Sequence, residues 1–311
     1  MMNIKDDFNA TTLTLQDDYE GPVVATLLSA KVNRVGQKSI FYIHGFVDYF
    51  FQAHMAEVFG QEGYNFYALD LRKYGRSILP HQHPNYCRDI HEYYEEITES
   101  IRQIKEVSSA SLYLLGHSTG GLITTNYMLD GALRSEVKGL MLNSPFLEIK
   151  FPLILKSVLY FFTNFIGSTF SYARLPKMLS PAYAQSLHKD FYGEWDFNLA
   201  WKSIDGFPTY YVWLSAIIKA QYNLKDPNIR VPILMLHSEI SRNIHFYNEE
   251  AKTADIVLLV DDMKTAGMQL GDNVTLAGIE NGIHDLVLSE KKVRAKVFEA
   301  MLMWLKTVEK V

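Results

Sequence analysis

The sequence of 311 residues predicts an α/β protein, in which one domain has a mostly parallel central sheet flanked by helices and carries a helical insertion. Short apolar runs alternate with helix-compatible stretches in residues 1–146, which is the pattern of βαβ units. The alternation stops after the sixth predicted strand, in residues 147–227, and resumes in residues 228–311. Contents of 48% hydrophobic and 21% charged residues are those of a globular chain with a sizeable core.

The predicted elements follow this alternation along the chain. Six apolar runs precede the insertion, and the first two suit an antiparallel sheet edge: residues 11–16, 23–32, 40–43, 65–71, 111–115 and 137–142. Helix-compatible stretches lie between them at residues 52–59, 88–107 and 121–129. After the insertion we expect strands at 232–236 and 274–279, a helix near 257–266, and a final helix at 289–308 with apolar residues at four-residue spacing.

Charge and composition exclude several classes of function. A net charge of −5 provides no basic field for a nucleic-acid partner. The single cysteine, Cys87, and an amino terminus without an apolar signal region lead us to expect a cytoplasmic protein. Residues 151–170 are apolar but contain Lys156 and Asn164 near their middle, so we predict a buried or surface-lying helix there instead of a membrane span.

Several potential metal ligands lie close together in one stretch, but their spacing matches no common zinc pattern. They are His81, His83, Cys87, His91 and Glu92. Pro80 and Pro84 indicate an ordinary loop before a helix. We therefore predict no metal and no other cofactor.

The stretch LLGHSTGG, residues 114–121, contains the pattern G-x-S-x-G around Ser118. The five letters alone are weak evidence, but they follow a predicted strand directly and precede a helix-compatible run. This strand-turn-helix context is the one that a nucleophile elbow requires. Glycines flank such a serine because the turn has unfavourable dihedral angles and brings backbone segments close together. We predict that Ser118 is a nucleophile.

A serine nucleophile needs a base and an oxyanion hole, and the sequence offers candidates for both. His284 lies in the loop after the last predicted strand, where this architecture delivers its histidine. One N–H of the oxyanion hole is expected from Thr119, directly after the nucleophile. The other is expected from Phe46, in the HGF stretch after the strand at 40–43, where Gly45 permits close approach.

Taken together, these motifs resemble the monoacylglycerol lipase and lysophospholipase-like group of α/β-hydrolases, which is often grouped with serine aminopeptidases. The matching stretches are HGF, LDLRKYGRS (residues 69–77), GHSTGG and GIHDL, in the family order. The resemblance implies the α/β-hydrolase fold, a helical cap or lid at residues 147–227, and Ser-His-acid hydrolysis of carboxylic esters. It implies monoacylglycerol or lysophospholipid-like substrates with an apolar acyl chain.

The sequence departs from the family pattern at the acid of the triad. Ser241 stands where an aspartate is expected, so Glu239, a later acid, or a broken triad are the alternatives. One helix and one strand with their loops need roughly 25 to 32 residues between acid and base. Asp255 precedes His284 by 29 residues (284 − 255), whereas Glu239 precedes it by 45 (284 − 239). We predict Asp255, with residues 243–253 as an inserted loop and Glu239 as the alternative.

The insertion is rich in aromatic residues, which favours a cap that shapes a pocket for an acyl chain and makes peripheral contact with a membrane. We expect four residues near the nucleophile and the oxyanion loop to contact substrate: Gly45, His117, Tyr49 and Phe50. One alternative function is a catalytically impaired binding protein, which Ser241 at the position of the expected acid suggests. The other is an aminopeptidase or thioesterase of the same fold. Oligomeric state is not predicted.

Overall fold

The computed structural model describes residues 2–149, 153–177, 180–225 and 227–310. Its strands are β1 (Phe8–Thr14), β2 (Val24–Ala30), β3 (Ser39–Ile43), β4 (Asn65–Asp70), β5 (Leu112–His117), β6 (Val137–Asn143), β7 (Ile233–Ser238) and β8 (Val274–Ile279). They form one sheet in the order β1-β2-β4-β3-β5-β6-β7-β8. Strand β2 is antiparallel to both β1 and β4, and the remaining pairs are parallel. The predicted fold class is confirmed.

Helices cover both faces of this sheet. They are α1 (Ile4–Asp7), α2 (His54–Gln61), α3 (Tyr94–Val107), α4 (Thr119–Asp130), α5 (Leu153–Thr169), α6 (Pro181–Leu187), α7 (Tyr211–Asn223), α8 (Val260–Gly267) and α9 (Lys291–Val308). Single 3₁₀ turns lie at Gly75–Ser77, Ile90–Tyr93, Arg134–Glu136, Glu249–Lys252 and Leu286–Leu288. Among the helices described, none is long and apolar enough to cross a membrane.

The sheet is sandwiched between two apolar layers. Helices α3, α4, α7 and α8 contribute to one buried cluster, and α2 and α9 contribute to the other. Strands β3, β4 and β5 are buried along their whole length, as expected for parallel strands covered on both sides. This burial explains their continuous apolar runs. Polar catalytic side chains are therefore expected at the ends of these strands.

Two predicted helices begin three or more residues later than the sequence suggests. The predicted helix at 88–107 opens with a 3₁₀ turn capped by Asp89, and α3 starts only at Tyr94. The helix predicted near 257–266 starts at Val260, because the side chain of Asp255 accepts the N–H groups of Val257 and Leu258. Side-chain capture of these N–H groups holds the residues in a turn that competes with helix.

The predicted cap contains α5, α6 and α7, although residues 150–152, 178–179 and 226 of that range lie outside the described residues. We call residues 147–227 the helical insertion. Its third helix belongs to the core, since Ile217 and Ile218 are fully buried in the same cluster as the strands. Helix α5 packs on α7 and presents exposed apolar residues such as Phe161 and Phe165 outward.

Replacing Ile217 with Ala should lower the free energy of unfolding by about 2–5 kcal/mol, because the fully buried side chain leaves a cavity in the core. Ile154→Ala, on the exposed face of α5, makes the same chemical change and should stay within about 0.5 kcal/mol of the parent. Urea unfolding measures both. Equal effects of the two substitutions would show that α7 is not integral to the core.

Candidate active site

Ser118 lies on a strained turn between β5 and α4. Its φ of 51° and ψ of −119° are unusual for a residue with a side chain. Its N–H donates to the carbonyl of Asn143 (3.0 Å), and its carbonyl accepts the N–H groups of Gly121 (2.9 Å) and Phe146 (3.0 Å). The backbone polar groups around the turn are thus satisfied, which holds the strained conformation in place.

Two glycines allow the turn to sit against the end of β3. A Cβ at Gly120 would overlap the carbonyl oxygens of Ile43 and His44. A Cβ at Gly45 would lie 3.0 Å from the Cβ of Ser118. The loop that follows β3 therefore passes directly beside the serine; a Cβ does not fit at Gly120 and would be tightly packed at Gly45.

His284 connects Ser118 to Asp255 in a hydrogen-bonded chain. Its Nε2 lies 3.0 Å from the Oγ of Ser118, and its Nδ1 lies 2.8 Å from Oδ2 of Asp255. A carboxylate only accepts, so Nδ1–H donates to Asp255 and Nε2 accepts the hydroxyl of Ser118. Ser118 is 8% exposed, His284 is 3% exposed and Asp255 is fully buried, so the chain is almost closed to solvent.

Asp255 reaches this position through a detour of the backbone. Residues 243–253 leave the end of β7 and return, so that Asp255 forms a parallel bridge with Ser241. Asp255 N–H donates to Ile240 (3.0 Å), and Arg242 N–H donates to Asp255 (2.9 Å). The carboxylate therefore stands beside the residue at which the family pattern expects an acid.

The alternative acid, Glu239, is placed elsewhere. Its backbone N–H donates to Ile279, and its exposed side chain lies over Gly278. The Nδ1 of His284 is already occupied by Asp255. The geometry therefore favours Asp255 over Glu239.

The loop after β3, which we call the oxyanion loop (residues 44–51), is fixed by His44. The Nδ1 of His44 lies 2.8 Å from the carbonyl of Gly45, and its Nε2 accepts the N–H of Leu71 (3.1 Å). Nδ1–H is thus the donor to Gly45. Because a trans peptide directs its C=O and N–H in opposite directions, this bond also sets the direction of the Phe46 N–H.

The other predicted oxyanion donor, Thr119, is the first residue of α4. The N–H groups of the first helical turn have no partner within the helix, and the helix dipole adds positive potential there. Thr119 follows Ser118 directly, so its N–H belongs to the same turn.

The four residues predicted to contact substrate occupy different environments. Gly45 lies against Ser118, and the ring of His117 is buried with Nδ1 3.1 Å from the carbonyl of Asn143. The Tyr49 hydroxyl accepts a backbone N–H from the helical insertion. Phe50 is fully buried, with its ring packed among core aromatics, so its position does not support the predicted contact with substrate.

A buried polar cluster lies beside the nucleophile. Among the residues described, ligand atoms of Asp48, His117 and Asp285 lie within 4.8 Å of one another, a spacing that suits a cation. The ammonium group of Lys202 already supplies a positive charge, 2.8 Å from Oδ1 of Asp48. Burial would raise the pKa of Asp48, but Lys202 and, more weakly, His117 hold it below its ordinary value.

Asp285 is held by neutral partners. Its carboxylate accepts the side-chain amides of Gln52 (3.0 Å) and Asn143 (2.7 Å), and its N–H donates to the hydroxyl of Tyr183 (2.9 Å). The ring of Tyr183 also meets His284 edge to face. The segment that carries His284 is therefore stabilised by contacts with both the sheet and the insertion.

The potential metal ligands near residue 87 have separate partners. His83 pairs with Glu20, His91 pairs with Asp89, and the thiol of Cys87 is buried with its pKa raised by desolvation. With these partners, the side chains form part of an ordinary loop and of the cap of the following helix.

Sequence reasoning missed Asn143, Tyr183 and Lys202. Asn143 was detectable in principle, because a polar residue at the carboxyl end of a strand next to β5 lies beside the nucleophile. Tyr183 and Lys202 come from the insertion, whose folding carries no local signal of where its residues meet the core.

Asp255→Asn should slow the reaction of Ser118 with a fluorophosphonate probe by about 10⁴-fold, because the amide no longer fixes the tautomer or stabilises the cation of His284. Glu239→Gln is the matched control and should react at the parental rate. The measurement is the rate of covalent labelling, with Ser118→Ala as the unlabelled reference. Loss of labelling in Glu239→Gln, with Asp255→Asn unaffected, would reverse the assignment.

Solved structures similar to this one include several lipases and esterases. A soluble variant of monoglyceride lipase from Saccharomyces cerevisiae, in complex with a substrate analog, has a TM-score of 0.70 at 15% identity, covering 96% of this chain and 97% of that one. A thermostable carboxyl esterase from Bacillus coagulans, in complex with glycerol, has a TM-score of 0.64 at 13% identity, with coverages of 96% and 98%. At these identities the similarity shows the fold.

A monoacylglycerol lipase from Paleococcus ferrophilus is also similar, with a TM-score of 0.62 at 15% identity and coverages of 96% and 99%. No curated protein matches the sequence. Residues 36–245 match the profile of the family described as serine aminopeptidase, S33. Because this match spans more than half of the chain, the protein belongs to that family of hydrolases and has the α/β-hydrolase fold.

Proposed function

We propose that this protein is a serine hydrolase that cleaves carboxylic esters through an acyl-enzyme, with Ser118, His284 and Asp255 as its triad. The observation that carries the proposal is the continuous hydrogen-bonded chain from the strained serine through the histidine to a buried aspartate. A structural serine has no need of an unfavourable backbone conformation with a histidine lone pair aimed at its hydroxyl.

In the first step, Ser118 Oγ attacks the ester carbonyl while Nε2 of His284 takes the hydroxyl proton. Negative charge develops on the carbonyl oxygen, and the N–H groups of Phe46 and Thr119 stabilise it. Asp255 keeps Nδ1–H in place and stabilises the imidazolium. The imidazolium then protonates the leaving alcohol, and an acyl-serine remains.

In the second step, His284 removes a proton from water, which attacks the acyl-serine carbonyl. The same two N–H groups stabilise the second tetrahedral intermediate. Collapse returns the proton from His284 to Ser118 Oγ and releases the carboxylic acid. No cofactor enters either step.

Next to the buried polar cluster, the oxyanion loop offers apolar surface for an acyl chain. The ring of Phe46, in the oxyanion loop, packs at a tilt against the ring of Trp213 in α7, with ring centroids 4.2 Å apart. A monoacylglycerol or lysophospholipid has one such chain and a small polar leaving group. The similar folds of a monoglyceride lipase and a carboxyl esterase support an ester substrate.

An aminopeptidase is the second candidate, because the family carries that name. Such an enzyme needs a free carboxylate to bind the substrate ammonium group. The buried carboxylates beside Ser118 already have partners: Asp48 pairs with Lys202, and Asp285 accepts two side-chain amides. This pairing favours an ester substrate over a peptide substrate.

We also propose that α5 contacts a lipid surface. Its outward face carries large apolar side chains, with Phe161 69% and Phe165 68% exposed. Large exposed apolar patches mark interaction sites. A protein whose substrate is a monoacyl lipid gains access to it by resting this face on a membrane.

Hydrolysis of p-nitrophenyl esters from acetate to palmitate tests the ester proposal. Turnover should rise above that of the acetate for longer acyl chains, and Ser118→Ala should lower it by at least about three decades. Ser168→Ala, on the exposed side of α5, is the matched control and should keep parental turnover. Hydrolysis of aminoacyl p-nitroanilides without hydrolysis of any ester would favour the aminopeptidase.

Binding to phosphatidylcholine vesicles tests the membrane contact. The double substitution Phe161→Asp and Phe165→Asp should weaken co-sedimentation by at least about tenfold, because the membrane no longer buries the two phenyl rings. Val35→Asp is the control, since Val35 is 85% exposed in the loop before β3, at the amino ends of the parallel strands. Equal binding of all three proteins would contradict the proposed contact.

A further inference from the structure

A short segment of the helical insertion, residues 197–202, lies directly on the oxyanion loop. The N–H of Asn198 donates to the hydroxyl of Tyr49 (2.7 Å), and Trp201 meets the Tyr49 ring edge to face. Phe197 packs on Phe51, with ring centroids 5.1 Å apart. These contacts join two parts of the chain that are about 150 residues apart.

An ion pair lies at the centre of this contact. Lys202 and Asp48 are 6% and 1% exposed, and their charged atoms lie 2.8 Å apart. No described residue donates a hydrogen bond to the second carboxylate oxygen of Asp48. A buried carboxylate with so few donors depends on its single cationic partner, because burying an unpaired charge is costly.

We propose that Lys202 is a positioning residue of the active site: by neutralising buried Asp48, it holds the oxyanion loop in the conformation that aims the Phe46 N–H at the substrate. The proposal rests on the proposed ester hydrolysis. Among the described residues, Lys202 makes no hydrogen bond with Ser118 or His284; its ammonium group pairs with Asp48. It acts through the loop.

The local geometry explains how a charge at residue 48 affects residue 46. Val47, between them, has a φ of 50° and donates its N–H to the side chain of Asn85 (3.1 Å). His44 fixes the carbonyl before Phe46. On the amino side, Phe46 is therefore held by the hydrogen bond of His44. On its carboxyl side it is held by Asn85 and by the Asp48–Lys202 pair. Loss of the pair leaves the carboxyl side of Phe46 held by Asn85 alone.

The first test compares Lys202→Met, Lys202→Arg and Lys189→Met. Lys202→Met should lower kcat for p-nitrophenyl acetate by at least about tenfold with little change in KM, because oxyanion stabilisation acts on the transition state. Lys202→Arg keeps the ion pair and should restore most of kcat. Lys189 pairs with Asp196 at the surface of the same insertion, so Lys189→Met should behave as the parent.

Hydrogen exchange gives a readout that does not need activity. Amides of residues 44–51 should exchange at least about tenfold faster in Lys202→Met and at the parental rate in Lys189→Met. Parental exchange and parental kcat in folded Lys202→Met would overturn the proposal. If the parent protein hydrolyses no ester, the proposed function fails, and the exchange result still decides whether Lys202 holds the loop.

A second variant covers the case in which Lys202→Met does not fold. Removing both charges in Asp48→Asn with Lys202→Met leaves no buried unpaired charge, so this protein should fold. The loop still loses its ionic anchor, and both fast exchange at residues 44–51 and low kcat are expected. Parental exchange and kcat in this double variant would also overturn the proposal.

The pH dependence of stability separates an electrostatic anchor from simple packing. Titratable groups face Asp48 from every element packed against it: Lys202 and Tyr183 from the insertion, His117 at the end of β5, His44 and Tyr49 of the oxyanion loop, Tyr42 of β3 and Asp285 after β8. Without Lys202, the pKa of Asp48 rises, so the variant is destabilised at neutral pH and recovers as the carboxyl is protonated. The difference in melting temperature from the parent should therefore shrink from pH 7 to about pH 4. A difference independent of pH would contradict the ionic role.

Discussion

The strained backbone at Ser118 is the constraint on which the rest of the site depends. A positive φ at a residue with a side chain costs about 1–3 kcal/mol, and the structure meets this cost with hydrogen bonds from β6 and α4. The register of β5 and β6, which sets His117 beside Asn143, provides the acceptor for the Ser118 N–H. This backbone turn also requires Gly120, because the end of β3 lies against residue 120. One local conformation thus brings the serine, the first turn of α4 and the oxyanion loop to one point.

Among the buried carboxylates near this point, Asp255 and Asp48 are stabilised in different ways. Asp255 accepts two N–H groups from its own turn and one from His284, so its partners are local or catalytic. Asp48 depends on Lys202, which arrives from the insertion. The acid of the triad is therefore held by the core alone. The oxyanion side is completed only when the insertion is in place.

The sequence predicted those features that leave a local or periodic trace. The strand at Val274–Ile279 has its predicted bounds, and the spacing of 29 residues favoured Asp255 because a helix and a strand occupy a nearly fixed length of chain. Phe50 was expected at the substrate but packs in the core, since a short loop without regular structure has no period from which to infer the direction of a side chain. The pair of Lys202 and Asp48 joins residues 154 positions apart, and no pattern within either stretch indicates the other.

The contacts between the insertion and the core differ in kind, and each kind fixes a different property of the structure. Helix α7 is held by apolar burial at Ile217 and Ile218, and each such side chain costs about 1.5–3 kcal/mol to expose to water. The segment at residues 197–202 is held by an ion pair and a hydrogen bond as well as by the packing of Phe197 and Trp201 on the oxyanion loop. Apolar burial has no preferred direction, whereas the ion pair and the hydrogen bond require a defined geometry. Helix α7 therefore fixes the position of the insertion on the core, and the segment at residues 197–202 fixes the conformation of the loop beneath it.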